Sequence, residues 1–306
     1  MRIVMTGATG LIGRRVTEQL LARGHDVVAL TRDTSRARQV LGEGVELLRW
    51  ADPEREAPPA EALRGAGAVV NLLGEPIAQR WTPEVKRRIH DSRVLGTRAL
   101  AQALGALSAG SQPGVLVSQS AVGYYGARGE EPVDETAAPG SDFLSEVTTA
   151  WEREALAASP AVRVVLTRTG VVLAPGGGAL KKMLPPFRLG IGGPVGGGGQ
   201  FVPWIHMDDV AGALVQVMED ERAAGAVNLT APTPITNGEL SRTLGRVLHR
   251  PAVVPVPSLA LKLLYGEMSS IVLMGQRAVP TRLQELGYRF LHPDLEEALR
   301  DVLERQ

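Results

Sequence analysis

Met1-Arg2-Ile3-Val4-Met5-Thr6-Gly7-Ala8-Thr9-Gly10-Leu11-Ile12-Gly13 opens the chain. The apolar run 3–5 predicts a buried strand. Three glycines follow at intervals of three, and an apolar helical pattern begins at once with Leu11, Ile12, Val16, Leu20 and Leu21. Strand, tight glycine turn and helix, in that order, is the setting a dinucleotide-binding loop requires. Gly7 permits the sharp turn. Gly10 lets the backbone approach a pyrophosphate, and Gly13 lets the helix pack close to the strand. The helix start then directs free N–H groups at the phosphates. The expected nucleotide contacts here are Thr6, Gly7, Thr9, Gly10, Leu11, Ile12 and Gly13. The plain alternative is a glycine-rich turn with no ligand.

Strand and helix keep alternating downstream. Strands are predicted over 26–31, 45–49, 68–74, 114–118 and 162–167, with a long helix over 83–107 and another capped by Ser141 that runs to 158. This order means a parallel sheet with helices on both faces, and ligand at the carboxyl ends of the strands. The fold class is therefore α/β: a doubly wound Rossmann sheet over 1–230, with a smaller α+β substrate lobe over 231–306. Two glycine-rich stretches, 176–178 and 190–199, read as loops within an insertion at about 174–202 that contributes to the lobe; they are either simple connectors or loops that close over substrate. Further on are a helix near 210–218, a returning strand at 227–229, a capping-box helix start at Thr236-Asn237-Gly238-Glu239 and a proline-rich strand over 253–257.

Composition excludes several classes. The 306 residues carry 33 basic and 33 acidic side chains, so nothing favours nucleic acid or an anionic membrane as partner. Without cysteine there is no disulfide, thiolate nucleophile or cysteine metal site. The five histidines are scattered without ligand spacing, so no metal is expected. His206 reads as a satisfied structural residue, and Asp208-Asp209 as helix-start residues that satisfy backbone donors. No signal peptide precedes the first strand and no run spans a bilayer, so the expected location is the cytoplasm. The expected partner is a small molecule; the oligomeric state is open.

The second strand ends Leu30-Thr31-Arg32-Asp33. An arginine at this tip favours the 2′-phosphate of NADP; an acid favours the 2′-hydroxyl of NAD. Arg32 points to NADP, with Arg36 and Arg38 adding charge nearby. Asp33 keeps NAD open, and solvated surface arginines are the plain alternative. The fifth strand leads into Ser118-Gln119-Ser120-Ala121-Val122-Gly123-Tyr124-Tyr125-Gly126. Ser120, Tyr124 and Tyr125 bring hydroxyls to the strand end where the nicotinamide lies in this topology. Aromatic loop packing is the alternative for either tyrosine.

The glycine pattern, Asn71-Leu72-Leu73-Gly74, the serine-rich fifth strand, Arg168-Thr169-Gly170 and Trp204-Ile205-His206-Met207-Asp208-Asp209 together resemble the extended short-chain dehydrogenase/reductases. More narrowly, Arg80-Trp81, Ser92-Arg93, Trp151-Glu152, Leu184-Pro185-Pro186-Phe187 and Leu286-Gly287-Tyr288-Arg289-Phe290 are similar to an atypical "epimerase family" subgroup with its own C-terminal domain. The resemblance implies NADP as cofactor, with NAD possible. It adds Asn71, Leu72, Leu73, Gly74, Arg93 and Ser118 to the expected cofactor contacts. Ser120, Tyr124 and Tyr125, as the hydroxyl cluster at that strand end, are the expected catalytic residues, Ser120 as the substrate's hydrogen-bond donor and one of the tyrosines as the acid.

One departure stands out. Extended dehydrogenases carry Tyr-x-x-x-Lys on the helix after the fifth strand, where the lysine acidifies the tyrosine. This chain has four lysines, Lys86, Lys181, Lys182 and Lys262, and none follows a tyrosine at that spacing. The expected function is an NADP(H)-binding oxidoreductase or nucleotide-sugar-epimerase-like enzyme on a small polar substrate. The rival is a non-catalytic NADPH-binding redox sensor.

Overall fold

The computed structural model describes residues 1–159 and 161–305. Seven strands form its central sheet: β1 (Arg2–Thr6), β2 (Asp26–Thr31), β3 (Val45–Arg49), β4 (Ala68–Asn71), β5 (Val115–Ala121), β6 (Arg163–Thr169) and β7 (Gly225–Leu229). They lie in the order β7-β6-β5-β4-β1-β2-β3, every pair parallel. The order reverses between β1 and β4, so the first glycine loop opens at the switch point.

Side-chain alternation explains why the strands read as continuous apolar runs. Ile3 and Met5 of β1 pack with Val16 and Leu20 of α1 (Leu11–Ala22) on one face. Val4 packs with Leu100 and Leu104 on the other. Both faces are covered, so both must be apolar. Helices α2 (Thr34–Leu41), α3 (Ala60–Leu63), α4 (Pro83–Gly105) and α5 (Phe143–Leu156) complete the nucleotide-binding architecture.

β4 stops at Asn71, short of the predicted 74, while β5 runs on to Ala121 because Ser118 to Ala121 pair with Leu166 to Thr169 of β6. Asp142, not Ser141, caps α5, accepting from Ser145 N at 2.9 Å. The proline-rich 253–257 is not a strand. It makes a single bridge, Val256 to Val195, with Val254 N and Val256 N donating to Gly192 O and Pro194 O.

Beyond β6, α6 (Gly178–Arg188) and α7 (Met207–Glu219) precede β7. Then come α8 (Asn237–Val247), α9 (Ser258–Tyr265), α10 (Ser270–Leu273), α11 (Thr281–Glu285) and α12 (Leu295–Glu304). α6, α8 and α12 share a second core through Leu180, Leu184, Leu240, Leu244, Leu299 and Val302. Leu283 and Leu286, by contrast, belong to the core of the main sheet. The segment after 230 thus serves both bodies. Among the described residues no helix is long and apolar enough to cross a membrane.

Candidate functional site

The glycine loop is shaped by backbone contact. Gly7 adopts φ +64°, and a Cβ there would stand 2.3 Å from Leu72 O. At Gly13 a Cβ would stand 2.2 Å from Gly7 O. Gly10 differs: its Cβ would meet only Gly7 O, at 3.1 Å, so its open side faces away from the protein. Gly10 is the N-cap of α1 and no side chain caps that helix. The first N–H groups of α1, from Leu11 onward, are therefore presented beside a backbone with room for a ligand. Thr9, Leu11 and Ile12 are half-buried at this mouth. Gly177 of the first glycine-rich loop packs on Leu11, where an added Cβ would come within 2.7 Å.

Below this surface lies a buried polar row. Thr6, Asn71 and Ser118 occupy one register level across β1, β4 and β5. Thr6 Oγ1 donates to Asn71 Oδ1 at 2.7 Å, and Asn71 Nδ2 donates to Thr97 Oγ1 at 2.8 Å and to Ser118 Oγ at 3.2 Å. Thr6 Oγ1 also accepts from Leu72 N at 3.0 Å. The three side chains are fully buried. Their polar atoms are used by one another, and they hold the chain beyond β4, where Leu73 N donates to Asn71 Oδ1 at 3.5 Å.

The tip of β2 separates its charges. Asp33 accepts from Arg36 N at 2.9 Å and so caps α2. Arg38 turns to the carbonyls of Gly42 and Val45. Arg32 is exposed and makes no hydrogen bond or ion pair among the described residues.

A second row crosses β5, β6 and β7 at Ser120, Arg168 and Asn228. Ser120 is buried, and its hydroxyl donates to Glu152 Oε1 at 2.6 Å. Arg168 donates to both oxygens of Glu152 at 2.8 Å, a buried bidentate pair. Burial opposes the Arg168 charge, but Glu152 outweighs it and holds the guanidinium above its ordinary range. Tyr125 is fully buried, and its hydroxyl donates to Asn228 Oδ1 at 2.7 Å and accepts from Arg168 Nη1 at 3.1 Å. Burial pushes its phenol up to about 12. Tyr124 is only half-buried; its ring lies 3.5 Å from the Arg168 guanidinium, and its hydroxyl has no hydrogen bond among the described residues. Glu152 and Asn228 were not predicted as site residues. Glu152 and Arg168 each fall in a quoted family stretch, but nothing in the sequence says that the two pair.

Arg93 points inward from α4. Its Nη1 donates to Ile89 O at 3.1 Å, its guanidinium lies 5.3 Å from the Trp151 ring, and a side chain at Gly74 would approach it to 3.0 Å. Burial lowers it to about 10, with only partial compensation from Glu75.

A family model for the NAD dependent epimerase/dehydratase family matches residues 3–230. The chain belongs to that family. Residues 256–302 match a domain of unknown function, DUF1731. An Arabidopsis thaliana relative, the chloroplastic "Epimerase family protein SDR39U1 homolog", is 41% identical over 99% of this chain and 87% of its own. The crystal structure of human epimerase family protein SDR39U1 with NADPH superposes with a TM-score of 0.89 at 35% identity, covering 100% of both chains. A Corynebacterium glutamicum nucleoside-diphosphate sugar epimerase is 32% identical with a TM-score of 0.77, over 99% of this chain and 58% of the other.

α5 carries neither tyrosine nor lysine. The pair spaced four apart at its start is Phe143 and Val147, packed with Trp81, Val85 and Ile89. A carboxylate–histidine group also forms that the spacing did not suggest: His206, Asp208, His292 and Asp301, with one ligand-type atom of each within 4.8 Å of the others. Its chemistry is that of an ion-pair lock. His206 Nδ1 accepts from Asp208 N at 3.1 Å, so Nε2 carries the proton and faces Asp301 at 3.1 Å. Arg15 and Arg305 already bind Asp208, at 2.7 and 2.9 Å. A metal would have to displace both arginines and the proton. Asp209 does satisfy backbone donors, but those of Leu291 and His292 rather than of its own helix.

Proposed function

We propose that this chain binds NADP(H) and acts as an oxidoreductase or epimerase-like enzyme on a small polar substrate. The carrying observation is the pairing of an uncapped α1 start behind the Gly7, Gly10 and Gly13 loop with an unpaired Arg32 whose rival, Asp33, is spent on a helix cap. The NADPH bound in the human SDR39U1 structure supports the choice of cofactor. The α1 N–H groups would hold the pyrophosphate, Arg32 the 2′-phosphate, and Leu72, Leu73 and Gly74 the neighbouring ribose. Arg93, a half-buried cation beside Gly74, is assigned to the same wall of the cleft. Thr6, Asn71 and Ser118 serve by bracing these strand ends. The bound cofactor supplies hydride exchange.

On the substrate side, Tyr124 is the hydroxyl free to move a proton, and it lies against the Arg168 charge. Ser120 and Tyr125 position it: the first ties β5 to α5 through Glu152, the second ties the loop to β7 through Asn228. The sensor reading has its own observation, the apolar Phe143 and Val147 on α5. Titration with NADPH and NADP+, followed by NADPH consumption against a panel of carbonyl compounds, separates the two. Turnover upholds the enzyme. Selective binding of one redox form with no turnover upholds the sensor.

A further inference from the structure

One end of the second body is apolar and open to solvent. α9 buries none of its residues, and its Leu259, Leu263 and Leu264 are 68%, 71% and 67% exposed. At about 100° per residue, Leu259, Ala260, Leu263 and Leu264 share one outward side, while Leu261 and Tyr265 turn inward and are half-buried. Val253 and Leu189 add side chains 76% and 74% exposed from two neighbouring segments. The glycine-rich stretch joins the three. A Cβ at Gly190 would stand 3.6 Å from Pro251. Val254 N donates to Gly192 O at 3.2 Å and Gly196 N to Val256 O at 2.9 Å, and α9 begins two residues later at Ser258. An apolar patch of this extent marks contact with another molecule or with a membrane.

The charges around the patch have one sign. No aspartate or glutamate occurs from 155 to 207 or from 240 to 266, although the whole chain carries 33 acidic and 33 basic side chains. The overall balance therefore hides a local basic excess. Lys262 lies on α9 itself, and Lys181 lies on the exposed side of α6, about two turns before Leu189. Both lysines are exposed and make no hydrogen bond or ion pair among the described residues. Arg250 is exposed too, and it donates to the carbonyls of Arg188 and His249. A second copy of the chain would set these cations against their own images. Leucines on an outward helix side, with long basic side chains beside them, instead suit a bilayer interface. The leucines enter below the headgroups, and each basic stem follows the apolar surface while its charge stays at the phosphates.

We propose that this end of the lobe docks on a membrane surface that carries anionic lipid. Leu259, Leu263 and Leu264 enter the interface, and Lys181, Arg250 and Lys262 meet the lipid phosphates. α9 lies in that surface and does not cross it: it has 8 residues, where a bilayer needs about 20. Arg80 donates to the carbonyls of Leu263 and Leu264 at 3.3 and 3.4 Å, and Lys86 of α4 pairs with Glu267 at 2.5 Å. These contacts tie α9 to the nucleotide-binding body, so docking orients the whole chain on the bilayer.

The test sediments the full chain with vesicles of phosphatidylcholine alone and of equal parts phosphatidylcholine and phosphatidylglycerol. Wild type is expected to bind the mixed vesicles, to bind the neutral ones more weakly, and to leave the mixed ones in part as salt is raised. Leu259→Gln combined with Leu263→Gln is expected to weaken binding to the mixed vesicles by about tenfold or more. Lys181→Gln combined with Lys262→Gln should weaken it by about tenfold as well, and should leave binding to neutral vesicles unchanged. Arg64→Gln, an exposed site before β4, should change neither. NADPH affinity and melting temperature should stay at wild-type values throughout, since none of these side chains is buried. The proposal is overturned if wild type does not bind the mixed vesicles, or if the leucine and lysine pairs bind as wild type does. It is overturned also if Arg64→Gln weakens binding as much as the lysine pair, which would make the attraction a matter of total charge. Sedimentation without lipid supplies a further refutation: a dimer that the leucine pair converts to monomer would give the patch to a second copy. Should the leucine pair lower the melting temperature, the lysine pair decides.

Discussion

Arg32→Ala and Asp33→Ala, measured side by side, separate the two meanings of the β2 tip. Arg32 is exposed and has no internal partner among the described residues, so its loss should leave stability within about 0.5 kcal/mol. A charge-assisted hydrogen bond contributes roughly 1.5–3 kcal/mol, and solvent around an exposed guanidinium favours the lower end. At about 1.4 kcal/mol per decade, Arg32→Ala should weaken NADPH about tenfold and leave NADH unchanged. Asp33 behaves oppositely. Its carboxylate accepts from Arg36 N at 2.9 Å, so Asp33→Ala should lose about 1 kcal/mol of stability as a missing cap. The NADPH-to-NADH preference should not move. Fluorescence titration of both nucleotides gives the affinities, thermal melting gives the stabilities, and raising the salt should shrink the Arg32 effect. The reasoning is refuted if wild type prefers NADH, or if Arg32→Ala keeps the preference. It also fails if Asp33→Ala shifts the preference without changing stability.

Gly10→Val should abolish NADPH binding while circular dichroism stays unchanged, because a Cβ there meets only Gly7 O at 3.1 Å within the protein and otherwise fills the ligand's side; retained binding would mean that the loop is only a turn. Once a substrate is found, Tyr124→Phe should lower kcat by about 10²–10⁴. Tyr125→Phe should instead lower the melting temperature, through the lost bond to Asn228; a kcat unaffected by Tyr124→Phe removes that residue from the chemistry. His206 is held below its ordinary 6.5, mainly by burial and then by His292, so it stays neutral in the fold where the unfolded chain takes up a proton. Its contribution is therefore complete above that ordinary value and is lost as pH falls below it toward the folded one. The melting temperature should drop on acidification, and His206→Asn, which retains a capping side chain, should flatten the drop; an equal slope in the variant would assign the titration elsewhere.

The parts of the fold that read directly from sequence are those fixed by local pattern. The bounds predicted for β2 and β3 match because each strand is an apolar run between turns. The end of β5 did not read, because Ser118, Gln119 and Ser120 are poor strand formers held in place by pairing with β6. The glycine loop was legible for the same local reason: each glycine answers to a backbone atom a few residues away or at the tip of the next strand. The polar rows were not. Thr6 meets Asn71 across 65 residues, Ser120 meets Glu152 across 32, and Tyr125 meets Asn228 across 103. Serine and tyrosine at a strand end look the same in sequence whether they face the cleft or a buried partner. Arg93 was similarly ambiguous, since its residue type alone does not separate it from the exposed Arg87 and Arg88, which precede it on the same helix.

The lack of a tyrosine–lysine pair on α5 bears on where charge is available. Val147 packs with Val85 and Ile89, while the cation against this face, the Lys86 ammonium 4.7 Å from the Phe143 ring, is paired with Glu267. The ring of Tyr124 lies against Arg168, whose charge is compensated by two contacts with Glu152. A compensated pair exerts a weaker field on a phenol than a bare lysine does, because the opposing carboxylate subtracts from it. Removing either partner would leave an unpaired charge in the core, so the pair is held in place by burial as well as by attraction. On the proposed reading, the chain therefore keeps the cofactor half of its family's machinery and runs the proton half on a fixed, weaker device. Such a site favours a substrate that brings part of its own activation.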